Sequence, residues 1–207
     1  MQKLFHIIAT PRELESRTLQ VSEAFLETFQ QKHVNWIVDE LNLAKEELPS
    51  LSMKRVDGKY LLMTGKDLYG EFKDKWVEIL EHIERFLSAD LYLISTPMWN
   101  FSIPYMLKHY IDILVQPKYL FRYTDTGVEG LAKNKKMIVI SSRGGTYASE
   151  ETRSFDFQEP YLRTIFGFVG ITDMHFLHAQ PMDMGKEIQQ QKLHEAIEAA
   201  KQLALNY

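Results

Sequence analysis

The sequence predicts an α/β fold: a five-stranded parallel sheet in the order 2-1-3-4-5, with helices on both faces in a three-layer sandwich. Three observations predict it. Short apolar runs alternate with helix-period segments five times along the 207 residues, and such alternation implies βαβ units on a parallel sheet. The runs are nearly all apolar, as strands buried on both faces are. Right-handed crossovers then leave few arrangements, and this one puts a switch point between strands one and three, where ligands bind.

The first strand is Leu4-Phe5-His6-Ile7-Ile8-Ala9. A loop from Thr10 to Ser16 leads into a helix with Leu19, Phe25, Leu26 and Phe29 on one side. Val34 to Val38 reads as the second strand. Residues 44–70, with Pro49, Asp57-Gly58, Gly65 and Gly70, read as an irregular surface excursion. Trp76, Ile79, Leu80, Ile83, Phe86 and Leu87 then follow the 3.6 period of a helix. Leu91 to Ser95 is the third strand, and Met106, Leu107, Tyr110, Ile111 and Leu114 mark the next helix. Pro104 suits its first turn, where a missing N–H costs little. Lys118 to Gly130 reads as a loop rich in Tyr, Phe and Arg. Met137 to Ile140 is the fourth strand. Pro160 opens a helix carrying Leu162, Ile165, Phe166 and Val169; Thr172 to His178 is the fifth strand; and Glu187 to Leu205 is the last helix.

Length and composition fit a single domain, residues 1–207, large enough to bury its own core. Lysines and arginines number 24 against 28 aspartates and glutamates, a net charge of −4 without a basic block, so neither nucleic acid nor an anionic membrane is an expected partner. The absence of cysteine excludes disulfides, thiolate-bound metal and thiol nucleophiles. Met1 to Ala9 is too short and weakly charged for a signal peptide, and no apolar run reaches the ~18 residues of a transmembrane helix. A cytoplasmic protein is expected.

In this topology the loops after strands one, three and four share one edge. The first carries Thr10, Ser16, Arg17 and Thr18. Hydroxyls and free N–H groups at a helix N-terminus form an anion site suited to a phosphate monoester, although Ser16 also suits a plain N-cap. The second, Pro97-Met98-Trp99-Asn100-Phe101, offers a flat apolar platform beside hydrogen-bonding groups. The third, Ser142-Arg143-Gly144-Gly145, lets backbone approach a ligand closely. A flat ring with polar edges and a phosphate tail, such as a flavin mononucleotide, would satisfy all three. Dinucleotide and P-loop fingerprints are absent. His175 and His178 point to opposite faces of a strand and are read as structural, so no metal is expected. Asp112 is read as making a local hydrogen bond or salt bridge rather than as catalysing.

These motifs resemble the FMN-dependent NADH azoreductases, flavodoxin-fold quinone reductases of bacteria. Pro97 to Phe101 is similar to their Pro-Met-Tyr-Asn-Phe loop, with Trp99 in place of Tyr. Phe121-Arg122-Tyr123-Thr124 resembles their Phe-Arg-Tyr-Thr segment, and Ser142 to Gly145 matches their Ser-Arg-Gly-Gly loop. The resemblance implies bound FMN: its phosphate at Thr10, Ser16, Arg17 and Thr18, its ring held by Pro97 to Phe101 and Ser142 to Gly145. Thr10 stands for the family's usual Ser, and Arg17 for a Gln or similar residue. The resemblance also implies a homodimer with sites at the interface, Tyr123 and Phe168 lining the acceptor pocket, and Phe168 serving the partner's site. The reaction implied is a ping-pong hydride relay. NADH or NADPH reduces FMN, and a quinone or azo compound then takes the electron pair. The cofactor carries the chemistry, so no side chain is assigned as catalytic. Two other readings are a one-electron carrier docking to partner proteins and a non-catalytic FMN redox sensor. The aromatic segment Tyr119 to Tyr123 and the modest net charge argue against the carrier, and no output element suggests the sensor.

Overall fold

The computed structural model describes Met1 to Tyr207, the side chain of Leu14 excepted. Five strands form one parallel sheet: β1 (Lys3–Ile8), β2 (Ile37–Asn42), β3 (Leu91–Ser95), β6 (Lys136–Ser142) and β7 (Asp173–Ala179). Their order, β2-β1-β3-β6-β7, is the 2-1-3-4-5 arrangement once a separate hairpin is set aside. Leu4 lies beside Leu91 and Ile7 beside Ile94 in one register, and Leu93 lies beside Ile138 in the next.

The strand period of two divides the core into two layers. Phe5, Ile7, Tyr92, Ile94, Met137 and Val139 face α3 (Gly70–Leu87), α4 (Tyr105–Leu114) and α6 (Glu159–Phe168). Leu4, Leu91, Leu93, Ile138 and Ile140 face α1 (Arg17–Lys32) and α7 (Lys186–Leu205). Spacings of three and four explain the helices. Trp76, Ile79, Ile83 and Phe86 of α3 are almost fully buried; each such side chain contributes roughly 1.5–3 kcal/mol. In α7 the buried stripe is Ala196, Ala200, Leu203 and Ala204, and its three alanines let α1 come close.

Three expectations are corrected. The second strand starts at Ile37 and runs to Asn42. Val34 lies in a turn and is exposed. The strand continues through Asp39 and Glu40 because it is a sheet edge, where charge is tolerated; Asp39 binds Arg85 and Lys3. Residues 44–70 are not uniformly irregular, since α2 (Met53–Met63) packs on α3. Gly58 allows that contact: a Cβ there would lie 2.3 Å from the Trp76 indole nitrogen. Lys118 to Gly130 holds an antiparallel hairpin, β4 (Phe121–Thr124) and β5 (Gly127–Gly130). A four-residue helix, α5 (Glu150–Arg153), precedes α6. No helix of the described residues is long and apolar enough to cross a membrane.

Candidate functional site

Sheet pairing runs past the strand ends and ties the loops side by side. Ala9 N–H donates to the Ser95 carbonyl (2.8 Å), Thr96 N–H to Ile140 (3.0 Å), Met98 N–H to Ser142 (2.9 Å) and Arg143 N–H to Ala179 (3.0 Å). The segments after β1, β3, β6 and β7 therefore meet in one open cleft of about 190 Å³ at the carboxyl edge of the sheet. Of the residues expected there, Thr10, Ser16, Arg17, Thr18, Pro97, Met98, Trp99, Ser142, Arg143 and Gly144 line it.

One end of the cleft is the start of α1. Ser16 is its N-cap, accepting from Leu19 N–H at 3.3 Å. The capping role and a place in the cleft therefore coexist. The N–H groups of Arg17 and Thr18 open the helix and donate to no acceptor among the described residues, and the helix dipole adds positive potential. Thr18 Oγ1 lies 2.7 Å from Ser142 Oγ, joining the first loop to the third. Arg12 and Arg17 both line this end; the Arg17 guanidinium is held by Asp183, and that of Arg12 lies against the Glu15 carboxylate. Hydroxyls, free helix N–H groups and arginines make this end suited to a phosphate.

The other walls are backbone and flat side chain. Pro97, Met98 and half-buried Trp99 form one, and Ser142 to Gly144 another. The N–H groups of Gly144 and Gly145 donate to no acceptor among the described residues, and a Cβ on Gly145 would meet nothing within 4 Å. Open space beside free donors fits the polar edge of a planar ring. The donor set thus suits FMN.

Several expected residues sit elsewhere. Asn100 lines a neighbouring apolar groove with Trp99, Pro104, Tyr105 and Tyr161 rather than the cleft. Phe101 is half exposed and packs toward Phe155, ring centres 5.8 Å apart. Gly145 lies beyond the lining. Tyr123 and Phe168 are not in the cleft; both pack on Phe121, at 5.7 and 4.8 Å between ring centres. Arg143 contributes through its backbone, because its guanidinium turns inward. Nη1 donates to Asp156 (2.9 Å) and Nε to Gln158 (3.2 Å), while Nη2 is buried without a partner. Burial pulls the Arg143 pKa down against the opposing pull of Asp156. Asp112 pairs with Lys108 at 2.5 Å, and His178 is bonded on both ring nitrogens, to Ser141 and Glu159. Arg12, Met182 and Asp183 complete the lining and were not anticipated. For Met182 and Asp183 the signal is the loop after the fifth strand, Gln180-Pro181-Met182-Asp183, which leaves the same edge one strand over; Arg12 lies within the first loop itself.

Residues 2–204 match a protein family described as flavodoxin-like fold. An FMN-dependent NADH:quinone oxidoreductase of Nitratidesulfovibrio vulgaris (strain Hildenborough) is 34% identical, and one of Coprothermobacter proteolyticus 35% identical, each alignment covering 100% of both chains. Among solved structures, an azoreductase from Bacillus anthracis strain Sterne superposes with a TM-score of 0.91 at 28% identity, covering 100% of each chain. An FMN-dependent NADH-azoreductase from B. anthracis strain Ames Ancestor, solved in complex with FMN, gives 0.85 at 30% identity, covering 99% of this chain and 100% of the other.

Proposed function

This chain belongs to the flavodoxin-like family that includes the FMN-dependent NADH:quinone oxidoreductases, and we propose that it reduces quinones and azo compounds with NADH, using FMN bound in the cleft. One observation carries the reading: four strand-end segments build a single cleft with an anion-binding helix start at one end and flat walls at the other. When bound, FMN supplies the hydride chemistry that links the nicotinamide to the acceptor.

The protein's part is binding and orientation. Ser16, Thr18, Thr10 and Arg17 hold the phosphate. Met98, Trp99 and the backbone of Ser142 to Gly145 hold the ring, with Asn100 and Phe101 shaping its loop. The free N–H group of Gly144, with that of Gly145 next to it, would favour negative charge at the edge of a bound ring, because both are oriented before any reaction begins. Trp99 keeps a flat face where relatives of the resemblance carry Tyr, and any hydrogen bond of a phenol is lost there. No side chain need serve as nucleophile.

A homodimer completes the reading. Tyr123 and Phe168 stand apart from their own chain's cleft, while Phe101, Tyr105, Phe155 and Phe157 expose apolar surface beside it. A second copy covering that surface would bring Tyr123 and Phe168 to a partner's acceptor pocket. The chain would work as one domain, residues 1–207, in the cytoplasm, where NADH is at hand.

The test is spectroscopic. Purified protein supplied with FMN is expected to retain a flavin spectrum through gel filtration. Anaerobic NADH should bleach it within one equivalent, and benzoquinone should restore it without a long-lived semiquinone. Flavin lost on the column, or retained but not bleached by NADH, would overturn the reading.

A further inference from the structure

Arg17 and Asp183 meet at the rim of the cleft, and both line it. Arg17 Nη1 donates to Asp183 Oδ1 at 2.8 Å and to the Met182 carbonyl at 3.0 Å. Both bonds use one nitrogen. The Nε–Nη2 edge, whose spacing matches two oxygens of a phosphate, has no acceptor among the described residues. The guanidinium is anchored at one corner and open along its fork. The anchor itself is charged: Asp183 Oδ2 lies over residue 144, where a Cβ would come within 2.5 Å of it. Glycine at 144 therefore makes room for this carboxylate.

We propose that the Arg17–Asp183 pair sets how strongly the cleft prefers a phosphorylated flavin over its unphosphorylated form. Arg17 takes the phosphate by its open edge. Asp183 is a positioning residue that fixes the fork, and its charge subtracts from the binding it organises. This rests on the flavin reading of the cleft. The two roles of Asp183 separate chemically. Asparagine keeps the acceptor oxygen and removes the charge; alanine removes both. The pair is partly solvated, with side chains 28% and 68% exposed, so the charge effect is moderate. A like charge on the far side of one guanidinium from a phosphate, in such surroundings, changes affinity about three- to tenfold.

The experiment titrates the full chain with FMN and with riboflavin, following flavin fluorescence, in low salt and in ~1 M salt. Asp183→Asn is expected to tighten FMN about three- to tenfold and riboflavin less than twofold, with the gain fading in high salt. Asp183→Ala should bind FMN more weakly than Asp183→Asn, since the fork is no longer fixed. Arg17→Gln should weaken FMN at least tenfold and leave riboflavin within twofold. A fold-wide defect would move both ligands together. Parallel shifts of the two flavins, an Asp183→Asn variant no tighter than the parent, or an Arg17→Gln variant with unchanged FMN affinity would each overturn the proposal. A parent protein that binds neither flavin would overturn the flavin reading as well, an outcome distinct from the other three.

Discussion

Asn100 and Phe101 hold the backbone of the aromatic loop in a form that most residues avoid. Trp99 and Ser102 exchange N–H···O bonds at 2.9 Å each way across a two-residue turn, with φ of 48° at Asn100 and 69° at Phe101. Two successive positive values define a tight turn that favours Asn first and Gly second. Asn100 meets the rule. Phe101 does not, and an L side chain in this region costs about 1–2 kcal/mol. Strain beside a site points to function: the Phe101 ring packs toward Phe155, and its carbonyl accepts from Phe157 N–H at 3.0 Å. Phe101→Gly is expected to unfold within about 1 kcal/mol of the parent in urea, the relieved strain offsetting lost packing. Phe101→Val, β-branched at positive φ, should fall about 2 kcal/mol below Phe101→Gly. Equal midpoints for the two variants would remove strain from the account. The site was legible to the extent that its residues follow strand ends. Thr10, Ser16, Thr18, Met98, Trp99 and Gly144 could be placed because the topology converges those loops. The inward turn of Arg143 could not, because Asp156 and Gln158 pull its side chain away and neither is marked by any motif.

The hairpin of β4 and β5 is the element least visible in the sequence. Three of the four residues of β4 are exposed, so no apolar alternation announces it. Its attachment is a backbone contact. Leu131 N–H donates to the Leu120 carbonyl and Ala132 N–H to the Val169 carbonyl. A Cβ on Gly130 would stand 2.3 Å from both Gly170 N and the Val169 carbonyl carbon. Backbone cannot yield as a flexible side chain can. Gly130→Ala is therefore expected to destabilise the protein by about 2–4 kcal/mol and to speed amide exchange across residues 121–130. If Tm and exchange both stay at parent values, the hairpin is not seated through that contact. The central strands were legible because burial on both faces leaves only apolar choices. α2 was not, because its buried residues are just Gly58 and Leu62, too few for a helical stripe. The strand boundary at Ile37 was missed for a related reason: Val34 is apolar without being buried.

Across the whole molecule, two strings of polar contacts thread an otherwise apolar interior and end beside the cleft. In one, His6 Nε2 lies 2.7 Å from Ser95 Oγ, Ser95 donates to Ser22 Oγ (2.6 Å), and Ser22 donates to the Thr18 carbonyl in the first turn of α1. The other starts on the surface of α6. Arg163 and His178 both bind Glu159, at 2.8 and 2.7 Å, and His178 Nδ1 lies 2.7 Å from Ser141 Oγ, one residue before Ser142. Most buried polar groups are bonded, and these strings tie strand to helix at the edge where the loops leave, although His6 Nδ1 itself is buried without a hydrogen-bond partner. The second string makes stability depend on pH. The bond from His178, with Arg163 adding to it against the effect of burial, lowers the Glu159 carboxyl from 4.5 to about 2. A carboxyl whose pKa is depressed by folding stabilises the fold fully above its unfolded value and loses that contribution as pH falls toward its folded value. The window is therefore below about pH 4.5. With the side chain a quarter exposed, solvent screening leaves a contribution on the order of 1–2 kcal/mol. Glu159→Gln cannot titrate there. In urea unfolding the parent should exceed the variant by a constant margin at and above pH 5, and the margin should shrink steadily toward pH 3. A margin equally wide at pH 3 and pH 7 would mean that the ionised form of Glu159 is not what binds α6 to the sheet.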